Sequence, residues 1–346
     1  MKALVKYAAG PGNMEIRDVP IPEPGPGEAR IKIVEAGICG SDLHIFHSDI
    51  AIPVRPPVVT GHEFSGVVDA VGEGADWLEP GARVVSETAY SYCGACALCR
   101  AGRYNLCPER RTLGYWYDGV FADYTVVPAS RVHLIPDSVS FTSAAMTEPL
   151  ACVVHAFECL GGLSPFDVAL VTGPGAIGLM AAQVAKAYGA TVVLSGADAD
   201  GERLALARSF GIDRTVNIGA EDLGAVLDGM TGGAGPDAVI ECSGSVGAIN
   251  QALRLVQKGG RFVQIGLPGK PVQFDLEAIA YREIRFTGSL GSLRTSWLAA
   301  IELQKSGKIR LEPLVTHKYP ITEWREAFEV FENKAGCKVF MLPAGG

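Results

Sequence analysis

The stretch "VALVTGPGAIGLMAAQVA", Val168 to Ala185, decides how the rest of the chain is read. It carries no charge over 18 residues, a length compatible with a membrane span. Gly173, Pro174 and Gly175 break it in the middle, and Asp167 and Lys186 close it at either end. A buried strand, a turn and a helix fit that pattern better than a span. Gly173, Gly175 and Gly178 stand as G-x-G-x-x-G. The first glycine permits a tight turn, the second lets backbone approach a pyrophosphate, and the third lets helix pack on strand. Ala176 and Ile177 open the helix, whose free N–H groups suit the phosphates of a dinucleotide. The motif is weak by itself. Its place between an apolar strand and an Ala-rich helix makes it informative.

Downstream the same grammar continues. "TVVLSG", "RTVNI", "PDAVIECSG" and "GRFVQIG" read as strands, and "GERLALARSFG" and "AINQALRLVQKGG" as helices. This alternation predicts a parallel sheet with helices on both faces. The end of "TVVLSG" bears on the cofactor. An acid there would hold the ribose of NAD, but the strand ends on Ser195 and Gly196. The first acid, Asp198, comes two residues later, and Arg203 stands near enough to approach a 2′-phosphate. The sequence therefore leans slightly toward NADP, with NAD kept open through Asp198 or Asp200.

The chain has 346 residues, which suggests about two domains. Hydrophobic residues make up 48% and charged residues 20%, the balance of a globular protein. The net charge of -8 and the absence of a basic run argue against nucleic-acid or anionic-membrane partners. The opening "MKALVKYAAGPGNMEIRDVP" shows no apolar signal region, so a cytoplasmic protein is expected. Before the glycine loop the chain is rich in short strand patterns, "RIKIVEAG", "GVVDAVGEGA", "ARVVSETA" and "ADYTVVPA", separated by Gly and Pro.

"SYCGACALCRAGRYNLC", residues 91 to 107, packs Cys93, Cys96, Cys99 and Cys107 into one stretch. Gly94 and Gly102 let the chain curl and aim several thiols at one centre. Nine cysteines without an export signal point to a reducing compartment, where thiols bind metal instead of pairing. A second constellation is dispersed: Cys39, Ser41, Asp42 and His44 in "GICGSDLH", His62 and Glu63 in "VTGHEFSG", and Glu148, Cys152 and His155 in "MTEPLACVVHAF". Each alone is ordinary. Together with a cofactor loop, mixed Cys, His and Glu ligands suggest a catalytic zinc with an open position.

"GHEFSGVVDAVG", "CGSDLH", "EPLAC", "GPGAIG" and "PLVTHKYPI" make the chain resemble, over essentially its whole length, the zinc-dependent medium-chain dehydrogenases of the alcohol and polyol group. The resemblance implies an α/β protein: a GroES-like, β-rich catalytic domain (residues 1–151 and 290–346) and a doubly wound Rossmann domain (152–289), with the active site in the cleft between them. It implies two zinc ions. Cys39 and His62 are ligands of the catalytic one, with Glu63 and Glu148 supplying the third ligand between them. Cys93, Cys96, Cys99 and Cys107 hold a closed structural one. Asp42 orients His62, Ser41 touches the substrate oxygen and takes its proton, and His44 carries that proton to solvent. Hydride passes from a secondary alcohol or polyol to NAD(P), giving the ketone. Gly173, Gly175, Ala176, Ile177, Gly178, Ser195, Gly196 and Arg203 are the expected cofactor contacts.

Where sorbitol dehydrogenases of this group carry an Arg-Tyr pair, this chain reads Gly291-Ser292, so Arg294 is the candidate substitute and sorbitol is placed in doubt. Phe46, His47 and Trp116 are candidate pocket walls. Cys159, Cys242 and Cys337 are expected in the core. The partners expected are a small alcohol and a second copy, as homo-dimer or homo-tetramer, with no nucleic acid and no membrane. The alternative is a catalytically silent dinucleotide-binding or structural protein on the same fold, which would need a broken metal site; a zinc-free quinone reductase would have no reason to keep "GHE" and "CGSDLH".

Overall fold

The computed structural model describes residues 1–345 and divides into two compact units. The first comprises Met1–Pro149, Ser292–Lys305 and Leu311–Gly346; the second comprises Leu150–Gly291 and Ser306–Arg310.

The second unit is built on the opening stretch. Val168–Thr172 is a strand, and Ala176–Ala187 is the helix that follows the glycine loop. No helix among the described residues is long and apolar enough to cross a membrane. Six parallel strands lie in the order Arg214–Asn217, Thr191–Gly196, Val168–Thr172, Ala238–Glu241, Arg261–Gln264, Arg285–Gly288. In chain order that is 3-2-1-4-5-6, so the order reverses beside the first strand, where such sheets bind ligand. Leu170, Val193, Val216, Val239 and Phe262, one from each of five strands, meet Leu223, Leu227, Ile249 and Leu253 in the core. Strands this apolar on both faces survive only when helices cover both.

One buried group trims the carboxyl ends of three of these strands. Glu241 is fully buried. Its carboxylate accepts hydrogen bonds from the Thr172 hydroxyl (3.1 Å), the Ser243 amide (2.9 Å), the Gly244 amide (3.1 Å) and the Gln264 side chain (2.5 Å). An anion so placed tolerates burial because its lone pairs are met.

The first unit is mainly antiparallel, with the parallel pair Val315–Pro320 and Lys338–Leu342 at one edge. Its organising strand is Glu28–Gly37. Glu63–Val71 pairs with it, Tyr124–Pro128 pairs with its first half, and Lys338–Leu342, from the far end of the chain, pairs with its last residues. Leu4, Ile31, Ile33, Phe64, Val68, Val84 and Phe121 fill the core beneath, with Trp324, Phe328 and Val339 from the carboxy-terminal segment. The Trp324–Glu332 helix and the Lys338–Leu342 strand thus belong to this unit.

Register then places chemistry. Gly37 stands opposite both Glu63 and Phe340. A Cβ at Gly37 would lie 2.5 Å from the Glu63 carboxylate and 2.9 Å from the Lys338 side chain. Only glycine lets those two side chains meet over the end of the strand.

Candidate metal centres and dinucleotide site

Two residues past Gly37, Cys39 caps the Gly40–His47 helix. The Cys39 amide donates to Asp42 (2.8 Å), so the cap fixes both side chains at once. On the neighbouring strand His62 and Glu63 come up beside them. One ligand atom each from Cys39, His62 and Glu63 lies within 4.8 Å of the others, and Glu63 and His62 are 1% and 5% exposed. Asp42, fully buried, faces the far ring nitrogen: its Oδ1 is 3.6 Å from His62 Nδ1, leaving Nε2 for the ligand side. Ser41 Oγ lies 3.5 Å from that Nε2. Burial alone would lower the His62 pKa, but the neighbouring Asp42 and Cys39 hold it well above its ordinary value.

Two groups complete the centre that sequence reasoning missed. Lys338 is 3% exposed; its ammonium lies against the Glu63 carboxylate and donates to the Ile38 carbonyl (2.9 Å). Desolvation pulls its pKa down, but Glu63, Cys39 and Glu148 together raise it above the ordinary value, so it stays charged. No sequence motif marks it, since it stands 300 residues from Ile38. The second is Tyr115, 4% exposed, with its ring centroid 5.4 Å from that of His62. Burial pushes its phenol far above the usual range, so it stays protonated.

The remaining expectations divide. Glu148, 8% exposed, opens the Thr147–Leu160 helix close enough to act on Lys338, but it is not one of the three ligand groups that converge. His44 is partly exposed and pairs with Asp49 (2.8 Å). Phe46 packs edge-on against Trp324 and Phe328, and His47 pairs with Glu332 (2.7 Å). Trp116 lies between Arg55 and Arg111, so the aromatic that reaches the centre is its neighbour Tyr115. Arg294 meets the Ser130 carbonyl (3.2 Å) and lies 3.8 Å from Glu87. Cys337 is buried, whereas Cys159 and Cys242 are only half-buried.

The second cluster is the four-cysteine stretch. The Sγ atoms of Cys93, Cys96, Cys99 and Cys107 all lie within 4.8 Å of one another. Amide donors point inward: Cys96 N to Cys93 Sγ (3.3 Å) and Cys99 N to Cys96 Sγ (3.4 Å). The amides of Ala95 and Cys96 draw the Cys93 thiol down to about 7. Four converging thiols, one already poised to ionise, fit a closed tetrahedral zinc. The lobe is anchored through Tyr104, which stacks on Tyr92 (4.7 Å) and donates to Glu87 (2.7 Å), itself 2% exposed and bonded to His133 (3.0 Å).

In the other unit, a Cβ at Gly178 would lie 1.8 Å from the Gly173 carbonyl oxygen, whereas one at Gly175 would meet nothing within 4 Å. The third glycine is thus needed for helix packing, and the second faces open space where a pyrophosphate can approach. Gly175 caps the helix without a side-chain bond, leaving the amides behind Ala176 and Ile177 available. Ser195 and Gly196 end their strand as expected, and the Ser195 carbonyl accepts from Gly173 (2.9 Å).

A nucleotide cradle in one unit and a converging Cys/His/Glu set in the other define the class: a two-domain dehydrogenase. Comparison with known proteins narrows it. Residues 25–137 match the alcohol dehydrogenase GroES-like domain, and residues 176–306 match the zinc-binding dehydrogenase family. The chain is 42% identical to a sorbitol dehydrogenase of Halalkalibacterium halodurans over 344 residues, covering 99% of each. It is 43% identical to a D-arabitol-phosphate dehydrogenase of Enterococcus avium over 330 residues, covering 95% of this chain and 94% of that one. A zinc-binding dehydrogenase of Sinorhizobium meliloti, solved with NADP, superposes with a TM-score of 0.89 at 34% identity, covering 99% of both chains. The chain belongs to the zinc-dependent medium-chain dehydrogenases, the alcohol and polyol oxidoreductases.

Lys338→Ala would leave the Glu63 carboxylate buried without its cation. Removing one partner of a buried pair costs about 3–5 kcal/mol. That loss is expected in chemical denaturation of the metal-free protein, and a smaller one in the zinc-loaded protein, where the metal takes over Glu63. Equal losses in both states would show that the Lys338 side chain serves packing alone.

Proposed function

We propose that this protein is a zinc-dependent dehydrogenase that oxidises a secondary alcohol or polyol to the ketone with NADP or NAD. The observation that carries the reading is the convergence of Cys39, His62 and Glu63 with Asp42 behind the imidazole. Soft thiolate, imidazole and carboxylate donors with only three protein ligands suit a zinc that keeps one position open. When bound there, zinc would supply Lewis-acid polarisation of the alcohol oxygen, and a nicotinamide would accept the hydride. The chain's own groups do the rest. Asp42 faces the outer nitrogen of the His62 ring, Lys338 pairs with the Glu63 carboxylate, and Ser41, beside His62, is the candidate to take the proton leaving the alcohol. His44 is the next group toward solvent on the same helix. Glu148 is kept as an exchange partner for Glu63, supported by its pull on Lys338. A silent protein on this fold is disfavoured because every donor of the set is in place.

The strand end supports acceptance of NADP. Asp200 is occupied by the Ala197 amide (3.0 Å) and Arg203 (3.2 Å). Asp198 packs toward Gly219, where an added Cβ would lie 2.2 Å from its carboxylate. The residue after Ser195 is Gly196, so the strand itself does not end on an acid, although the Asp200 side chain packs close to it. An acid placed at Gly196 has no room, since its Cβ would meet the Pro174 ring at 2.8 Å. Substitution there disturbs the glycine loop as well as selectivity.

Self-association is supported by the last strand of the parallel sheet, Arg285–Gly288, which has a free edge among the described residues. Around it Phe274, Leu276, Tyr281, Phe286 and Leu290 are 37–81% exposed. Such an apolar edge invites a second copy.

Three measurements test these readings. Elemental analysis is expected to find two zinc ions per chain. His62→Ala should remove one and abolish turnover with little change in melting temperature, while Cys96→Ser should remove the other and lower it. A single zinc in the fully loaded wild type would overturn the assignment. For the cofactor, kcat/KM with NADP should come within about tenfold of that with NAD or exceed it, since the strand ends on Gly196 and not on an acid; a hundredfold preference for NAD would mean that an acid of the 198–200 turn holds the ribose. Light scattering should give at least twice the 36.4 kDa chain mass, and Tyr281→Lys should lower it; a monomeric wild type would refute self-association.

A further inference from the structure

Tyr115 sits in the turn between the Arg111–Thr112 and Tyr124–Pro128 strands, and its backbone is fixed on both sides: its amide reaches the Thr112 carbonyl (3.3 Å), and its carbonyl accepts from Arg55 (2.8 Å). The ring is thereby locked, 4% exposed, tilted 59° against His62 at 5.4 Å between centroids. Its hydroxyl interacts with the Ser41 side chain, with Cys39 and Asp42 nearby. A buried phenol costs free energy unless its hydroxyl finds a polar partner. An apolar ring would fill the same wall without that cost.

Ser41 and Tyr115 therefore offer two neutral hydroxyls side by side at the converging ligand set. Adjacent hydroxyls of a vicinal polyol lie about one hydrogen-bond length apart. A substrate whose reacting oxygen is met by Ser41 would bring its neighbouring hydroxyl to Tyr115. This chain has no arginine at 291 or 292, and Arg294 meets the Ser130 carbonyl. A neutral hydroxyl beside Ser41 can supply the recognition of a second hydroxyl. We propose that Tyr115 is a specificity-determining residue that receives the hydroxyl next to the reacting carbon, so that the site selects vicinal diols and polyols over simple secondary alcohols.

The inference rests on the dehydrogenase reading, and the test separates the two. Butane-2,3-diol and butan-2-ol differ only in the vicinal hydroxyl. Both are titrated into cobalt(II)-substituted protein, read by its visible absorption, and both are assayed for kcat/KM in the zinc enzyme. The unmodified protein should favour the diol in both measurements. Tyr115→Phe, which removes one oxygen and keeps the ring, should cut that preference about tenfold, the size expected for one lost hydrogen bond to substrate. Tyr115→His, which returns a polar donor to the wall, should recover part of it and serves also if the phenylalanine variant folds poorly. A preference unchanged by Tyr115→Phe, or no preference in the unmodified protein, overturns the inference. Diol preference in the cobalt titration, lost in Tyr115→Phe but without turnover of either alcohol by the zinc enzyme, would uphold Tyr115 and sink the dehydrogenase reading.

Discussion

The buried pairing of Glu63 with Lys338 is the constraint around which the first unit is organised. An ionised carboxylate beside a metal-ligand set is costly to bury alone, and a lysine is costly to bury at all. Together, with the Ile38 carbonyl as a third partner, they are tolerated. The pairing requires that strands from residues 63–71 and 338–342 flank the same central strand, Glu28–Gly37. It also requires a glycine where both side chains cross that strand's end. The carboxy-terminal segment therefore has to come back to the amino-terminal sheet, and the nucleotide unit is an insertion within one fold.

A related device, a buried carboxylate met by several donors, stands at two other places. Glu87 collects Tyr104, His133 and Arg131 and so fixes the root of the four-thiol lobe. Glu241 collects donors from three strand ends and trims the mouth of the parallel sheet. None of the three stands in the middle of an element's apolar face. Each closes a junction where several loops meet and polar donors would otherwise be left without acceptors. Rigid junctions of this kind suit ligand sets and cofactor loops, which need their atoms fixed more closely than hydrophobic packing alone provides.

The three glycines of the cofactor loop divide the work in a way that only geometry separates. Gly178 answers a packing demand, against the Gly173 carbonyl; Gly175 answers a demand of the ligand, because space lies open beyond it. Pro174 adds a further constraint by packing on Gly196, so the glycine loop and the end of the neighbouring strand are one packed unit.

Short-range signals were legible in the sequence. The strand–turn–helix of the glycine loop lies within twenty residues, and the four cysteines lie within fifteen. Their spacing along the chain nearly fixes their spacing in space, so the parallel sheet and the closed thiol cluster follow from the order of residues alone. The Cys39, His62 and Glu63 set was reachable too, through motifs whose resemblance supplies the missing distances. Tertiary structure alone decided the rest. Lys338 was invisible because its role depends on strand register across 300 residues, and one step of slip would turn it to the other face. Tyr115 and Trp116 were indistinguishable as letters, yet in a turn consecutive side chains point in different directions, and only the packing of that turn against His62 chose between them. That Arg294 meets Ser130 and lies near Glu87 was likewise decided by the fold. Local pattern determines which elements form, because it acts through neighbours in the chain; which side chains meet is settled by long-range pairing, which no local pattern contains.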